Sequence, residues 1–158
     1  MEGESKTLKK EEIEFLNFVD ENAKMGVTSI EQLTDIVNNE DFKNMLESQL
    51  KEYKFISEKA NELIKENSEN KIKENIDPIK KVQIYLMVNI KTLLNKTPDN
   101  ISAMIMQGSI MGVIQIIRRL KQYKEKINPK LVNLGEKLLK IEETNLIECK
   151  KFLGVTES

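Results

Sequence analysis

Three prolines in this chain each follow a residue that caps helices well, and this pattern limits the fold more than any other feature. The pairs are Asp77-Pro78, Thr97-Pro98 and Asn128-Pro129. A proline at the first helical position loses no hydrogen bond, and the side-chain oxygen before it accepts from the free amides of the first turn. The pattern therefore predicts three helices in the second half of the chain, over about residues 79–96, 99–125 and 129–153.

The first half of the chain begins with a stretch of apolar residues at helical spacing. This spacing, over residues 13–23, predicts a helix that starts at about Thr7. Gly26 could end that helix as a C-cap, with a capping box over residues 28–31 starting a new one. We favour the other alternative, in which the helix continues through Gly26 to about Val37.

A second helix of the first half is predicted from Phe42 to about Lys65, because apolar residues follow one face of it. Residues 66–76 are polar and predict an exposed loop, and residues 1–7 predict a flexible N-terminus. The composition, with 5% aromatic residues and many lysines and glutamates, favours helices over strands. We therefore expect a single all-α domain over residues 1–158, folded as an antiparallel helical bundle.

Cysteine usage and the N-terminal residues indicate the compartment. Cys149 is the single cysteine, so no disulfide can form within the chain, which is typical of a reducing cytosol. The first residues are charged and no apolar segment follows them, unlike a secretory signal. We expect a cytoplasmic protein.

One apolar stretch and the basic run after it bear on membranes and nucleic acids. Residues 101–117 carry no charge, yet they fall short of the ~20 apolar residues of a bilayer span. We interpret them as a central core helix and predict no membrane insertion. The basic run from Arg118 to Lys130 is interpreted as a solvated helix end, with docking of an acidic partner or phosphate as the alternative. We predict no nucleic-acid partner.

The residue types that most enzymes use are missing from this sequence. There is no histidine, which removes the commonest general base, the usual zinc ligand and the usual partner of a nucleophilic serine or cysteine. No glycine-rich phosphate loop is present. The seven methionines and Cys149 are interpreted as core residues rather than copper or redox sites. The sequence predicts no catalytic residue and no cofactor.

The order of the predicted helices, a pair, a crossover segment and a second pair, resembles the ferritin-like superfamily. Short segments resemble its rubrerythrin branch. In that family each pair has a helix with Gly-Glu near its middle and a partner helix with Glu-x-x-His, and these supply the ligands of a di-iron centre. The resemblance covers about residues 10–153 and implies a four-helix bundle with an additional shorter crossover helix. The chain also resembles short helical-bundle proteins of anaerobic Gram-positive bacteria whose role is uncharacterised.

The first helix pair departs from this family pattern at each ligand position. Gly26-Val27 matches Gly-Glu, with Val27 in the place of the glutamate. Residues 49–52 match Glu-x-x-His, with Gln49 and Glu52 in the places of the glutamate and the histidine. The resemblance therefore implies a weakened ligand set on this side.

The second helix pair retains one ligand type. Gly108-Ser109 has Ser109 in the place of the glutamate, and residues 142–145 have Asn145 in the place of the histidine. Glu142 matches the family pattern. With both histidines and at least two carboxylates lost, the resemblance implies too few anionic donors to hold two cations in a dry core.

These substitutions lead to two predictions of function. In the first, Gln49, Ser109 and Asn145 form a hydrogen-bonded core network around Glu52 and Glu142, and the chain is a non-catalytic binding or structural module. Such a module would act as a homodimer or with another protein. The alternative is a ferritin-like protein that binds iron or manganese with a reduced carboxylate set, Glu52 and Glu142.

Overall fold

The computed structural model describes residues 7–67 and 95–157, and four α-helices form its regular structure. They are α1 (Lys10–Thr34), α2 (Glu40–Asn67), α3 (Pro98–Tyr123) and α4 (Pro129–Lys150). No strand occurs in the described ranges, so the predicted all-α helical bundle is confirmed. Of the helix predicted at 79–96, residues 79–94 lie outside the described residues, and residues 95 and 96 are described and are not helical. Most of the predicted loop at 66–76 and residues 1–6 also lie outside the described residues.

Two of the proline-marked helix starts lie in the described ranges, and both are confirmed. The Thr97 hydroxyl accepts a hydrogen bond from the Asn100 amide at 3.2 Å, and Pro98 opens α3. The Asn128 side chain accepts from the Lys130 amide at 2.8 Å at the start of α4. Side-chain caps of this kind are worth about 1 kcal/mol each, so local sequence determines where these helices begin.

The first helix is continuous through Gly26, as expected, but it ends at Thr34, before Val37. The next helix begins at Glu40 because the Asn39 side chain accepts from the Phe42 amide at 2.9 Å and caps it. Residues 35 and 36 form a turn between the two helices. At its other end α2 reaches Asn67, so residues 66 and 67, predicted as loop, are helical.

The four helices pack as two pairs. Helix α1 lies along α2 and α3 lies along α4, while α4 also contacts α1 and α2. Large side chains with at most 1% exposure fill the space between them: Phe15, Leu16, Phe18, Leu33, Phe42, Leu46, Ile56, Ile101, Ile116 and Leu138. Burying each such side chain contributes roughly 1.5–3 kcal/mol, so this shared core holds the pairs together.

Polar contacts define which parts of the helices lie side by side. The Asp20 carboxylate of α1 accepts from the Ser57 hydroxyl at 2.7 Å and from the Asn61 side-chain amide at 2.8 Å, both on α2. Glu12 accepts from the backbone amide of Asn128 at 2.8 Å, which joins the starts of α1 and α4. Because these carboxylates are buried, each hydrogen bond constrains the register of its helix pair.

Among the described helices, α3 is long and apolar enough to cross a membrane, judged by its length and composition alone. The core helix of a globular protein meets the same criteria. Its buried face packs into the bundle, but among the residues that the structure describes no element encloses its opposite face, as would be the case for a central helix. Ile110, Ile114 and Ile117 are 47%, 43% and 37% exposed, so the prediction of a fully central position is wrong for this face.

Candidate functional site

Four of the five residues predicted to form a polar network lie inside the bundle. Gln49 of α2, Ser109 of α3 and Glu142 and Asn145 of α4 are all buried. Gln49, Ser109 and Glu142 line one cavity. Asn145 reaches the same group through a tyrosine, because its side-chain amide donates to the Tyr53 hydroxyl at 3.1 Å. Three helices thus contribute polar side chains to one place in the core.

Glu52, the fifth predicted member of the network, lies on the surface instead. It borders a surface groove together with Lys137 and Thr144 of α4. Its pKa is raised by partial burial and by the charge of Glu148, and Glu142 is not among the causes. Glu52 and Tyr53 both lie one turn from Gln49, and the packing of the Tyr53 ring against Gly26 of α1 turns Tyr53 inward and Glu52 outward.

Tyr53 is the member of the site that the family comparison of the sequence does not indicate. Its ring packs against Gly26 so closely that a Cβ at that glycine would lie 2.7 Å from Tyr53 Cδ2. One signal for it was available in the sequence. Gly26 lies within the predicted first helix, and Tyr53 is a large aromatic residue on the apolar face of the predicted second helix. We refer to Gln49, Tyr53, Ser109, Glu142 and Asn145 as the polar cluster.

Glu142 is the acidic member of the polar cluster. Burial raises the pKa of its carboxyl to about 7, and hydrogen bonds with the Tyr53 and Ser109 hydroxyls act in the opposite direction. Burial also raises the pKa of Tyr53 well above its usual value, and the nearby Glu142 charge adds to this. The cluster therefore holds a single carboxyl that changes its charge near neutral pH, next to a phenol that remains protonated.

The cavity beside Glu142 has apolar walls and a polar end. Helix α1 contributes Met25, Ile30 and Leu33 to the walls, and α3 contributes Met104 and Ile105. Gln49, Tyr53, Ser109 and Glu142 form the polar end. The space open to the centres of water-sized groups is about 40 Å³. This exceeds the roughly 10–15 Å³ that a single water requires, so the cavity has room for a small molecule.

Two side chains at the polar end have atoms without hydrogen-bond partners in the described residues. They are Glu142, at Oε1, and Gln49, at both Oε1 and Nε2. The Cys149 thiol lies beside the Gln49 amide, but a thiol is a weak hydrogen-bonding group. Leaving such groups unpaired costs about 1–3 kcal/mol each, which favours a bound molecule that pairs with them.

The remaining candidates from the sequence have structural positions. Cys149 is fully buried, and burial raises the pKa of its thiol to about 12, so it is not poised as a thiolate. In the basic run, the Arg119 guanidinium lies 4.6 Å from the centre of the Phe18 ring, while Arg118, Lys121, Lys124, Lys126 and Lys130 are exposed. Exposed cations at a helix end are typical of a solvated surface.

The described ranges contain no group of three or more His, Cys, Asp or Glu side chains that could hold a metal ion. Glu142 and Glu52 face different environments, one inside the core and the other on its surface. Oxygen donors near Glu142 come mainly from neutral groups, the Gln49 amide and the Tyr53 and Ser109 hydroxyls. Such donors pair well with hydrogen-bond donors and poorly compensate divalent charge.

Comparison of the chain with protein-family models, curated proteins and solved structures finds no match in any of the three.

Proposed function

We propose that this chain is an antiparallel, ferritin-like bundle that has no di-iron site and acts as a non-catalytic binding module. The observation that carries the proposal is the polar cluster, in which a single carboxylate, Glu142, is surrounded by neutral side chains at the polar end of a cavity. The chain has no histidine, so neither Glu-x-x-His motif of the family is complete.

The antiparallel arrangement is supported by the direction of the contacts. Asp20 of α1 pairs with Ser57 and Asn61 late in α2, whereas Glu31, later in α1, lies 3.8 Å from Lys54, earlier in α2. The second pair is joined at one end by the short connection between α3 and α4. At its other end, the Asp99 carboxylate accepts from the Gly154 amide at 2.8 Å. Short connections of this kind join antiparallel neighbours.

Metal content separates this proposal from the alternative of an iron or manganese protein that uses Glu142 and Glu52. We expect elemental mass spectrometry to find far less than one metal ion per chain, both after purification and after anaerobic incubation with ferrous iron and desalting. The physical reason is that one buried carboxylate cannot offset the charge of two divalent ions. About two metal ions per chain, lost in Glu142→Ala, would establish the di-metal alternative instead.

We further propose that the module acts as a homodimer through an isoleucine ridge on α3, formed by Ile110, Ile114 and Ile117. These residues are spaced four and three apart, so they share one helix face, and each is at least 37% exposed. No charged residue occurs from position 101 to position 117. The ridge itself therefore carries no charge, and a second copy can place the same ridge against this one about a two-fold axis.

Sedimentation velocity over a range of concentrations tests self-association. We expect the unchanged protein to form a dimer and Ile114→Glu to weaken dimerisation at least about tenfold, because two carboxylates would be desolvated in a symmetric contact. Ile147→Glu is the matched control, since Ile147 is an isoleucine of α4 that is 57% exposed. A chain that stays monomeric throughout, or equal weakening by both variants, would overturn the proposed interface.

A further inference from the structure

The cavity next to Glu142 combines two features that point to one class of ligand. Its walls are aliphatic and thioether side chains, and its end carries oxygen atoms of Glu142, Gln49, Tyr53 and Ser109. A ligand that fits both regions has a short apolar chain and a polar head. The head must be small, because it meets side chains from three helices at once.

The unpaired atoms determine the chemistry of that head. Glu142 Oε1 and Gln49 Oε1 are acceptors without a partner among the described residues, and each side chain is 3% exposed. The third unpaired atom, Gln49 Nε2, is a donor, and the Cys149 sulfur beside it is a weak acceptor for it. An acceptor pair that includes a carboxylate attracts a cationic donor. A primary ammonium has three N–H donors and one positive charge, which would neutralise the buried carboxylate. An anionic head would instead be repelled by Glu142.

The walls and the size of the cavity limit the rest of the ligand. A metal cation would prefer six or more oxygen ligands, as calcium and magnesium do, and the walls offer apolar side chains instead. The space of about 40 Å³ holds roughly three or four water-sized groups. It is far smaller than the ~150 Å³ cavity that accepts benzene, so an aromatic ring fits poorly. An ammonium head with a chain of two or three carbons is therefore the expected size.

We propose that this cavity binds a short primary alkylammonium ion, whose head donates to Glu142 Oε1 and Gln49 Oε1 and whose chain lies against Met25, Leu33 and Met104. The inference rests on the proposed function in one respect, namely that no metal ion occupies Glu142. It is independent of self-association through the isoleucine ridge.

Isothermal titration calorimetry with propylammonium chloride at pH 8 tests the inference. At this pH most Glu142 carboxyls are ionised, because their pKa is about 7. We expect saturable binding of one propylammonium per chain. Under the same conditions 1-propanol, which has the chain without the charge, and benzylammonium, which has the charge on a larger group, should bind at least about tenfold more weakly. Potassium chloride at equal ionic strength should produce no saturable heat.

Three variants locate the binding. Glu142→Gln keeps the size of the side chain and removes its charge, and should weaken propylammonium binding at least about tenfold. Gln49→Leu removes the second acceptor and should also weaken it. Glu143→Gln changes the next residue, which is exposed, and should leave binding unchanged. Circular dichroism of each variant confirms that it is folded before the titration.

The outcomes separate this inference from the proposed function. Absence of propylammonium binding, equal binding of 1-propanol, or unchanged binding by Glu142→Gln would each overturn the alkylammonium site. If the same samples are free of metal, the proposed function survives that failure. Stoichiometric metal on Glu142 in the purified protein would overturn the proposed function first, and the alkylammonium site with it.

Discussion

Replacing Glu142 with glutamine is expected to stabilise the protein relative to the unchanged chain as the pH rises from 4.5 to 8. Burial raises the pKa of Glu142 from 4.5 to about 7, so the folded state binds this proton more tightly than the unfolded chain does. The stability that the proton contributes is fully present below pH 4.5 and is lost as the pH rises through 7. Glutamine does not titrate and therefore avoids this loss.

The expected size of the effect follows from the pKa difference. At 1.36 kcal/mol per pKa unit, the free energy of unfolding of Glu142→Gln should gain about 3 kcal/mol over that of the unchanged protein between pH 4.5 and pH 8. Urea unfolding of both proteins at the two pH values, followed by circular dichroism, measures this difference. Glu143→Gln serves as the control, because Glu143 is exposed. A difference between Glu142→Gln and the unchanged chain that is independent of pH would contradict the burial of this carboxyl.

Two helical glycines should respond in opposite ways to the same substitution. A Cβ at Gly135 of α4 would lie 2.5 Å from Phe15 Cζ and 3.1 Å from Leu120 Cδ2. Phe15 is 1% exposed and its ring packs edge-on against Tyr123, with 5.9 Å between ring centres, so it has little room to move. We expect the overpacking in Gly135→Ala to cost about 3 kcal/mol, which exceeds the ~1 kcal/mol that alanine gains in helix propensity.

Gly112 of α3 provides the matched control for this substitution. A Cβ there would meet its nearest neighbour, the Glu142 carboxyl group, at 3.6 Å, which is ordinary contact. Gly112→Ala should therefore keep most of the ~1 kcal/mol gain in helix propensity. We expect the two variants to differ by roughly 3 kcal/mol in the free energy of unfolding, measured with urea. Equal stabilities would show that the core around Phe15 adapts to the added methyl group.

The burial of Glu142 lowers the stability of the folded chain, as is typical of a residue that binds a ligand. A buried carboxyl with an unpaired oxygen is destabilising unless a partner neutralises it. A ligand that binds the folded state alone would recover part of that loss, since such binding raises apparent stability with ligand concentration. Propylammonium should therefore stabilise the unchanged chain at pH 8 and stabilise Glu142→Gln much less at the same concentration, which links the titration to the unfolding measurements.

The positions of helix boundaries were largely predictable because their causes are local. The Thr97 and Asn128 caps act on amides within three residues, and proline fits the next position whatever the rest of the chain does. The sequence also favoured a first helix that continues through Gly26 over one that ends there with Gly26 as its C-cap, and the helix is continuous. The end of the first helix at Thr34 was missed by three residues, since no proline or glycine marks it in the sequence.

The site itself was predictable only in part. Gln49, Ser109, Glu142 and Asn145 of the predicted polar network are buried, but the Gln49 side chain has no hydrogen-bond partner among the described residues. That prediction also included Glu52, whose exposure depends on how α2 is rotated about its axis against its neighbours. The periodicity of α2 allows Glu52 or Tyr53 to approach the core, and the space opposite Gly26 selects the tyrosine. A sequence does not record which helix faces meet.

The sequence by itself determined the helical class, the absence of histidine chemistry and the local starts of the helices, because propensity, residue type and capping act over a few residues. Only the tertiary structure decided that a cavity lies beside Glu142, that the pKa of this carboxyl rises to about 7, and that the isoleucine ridge of α3 faces outward. These properties depend on distances between helices that are remote in the chain, and packing of the whole core sets those distances.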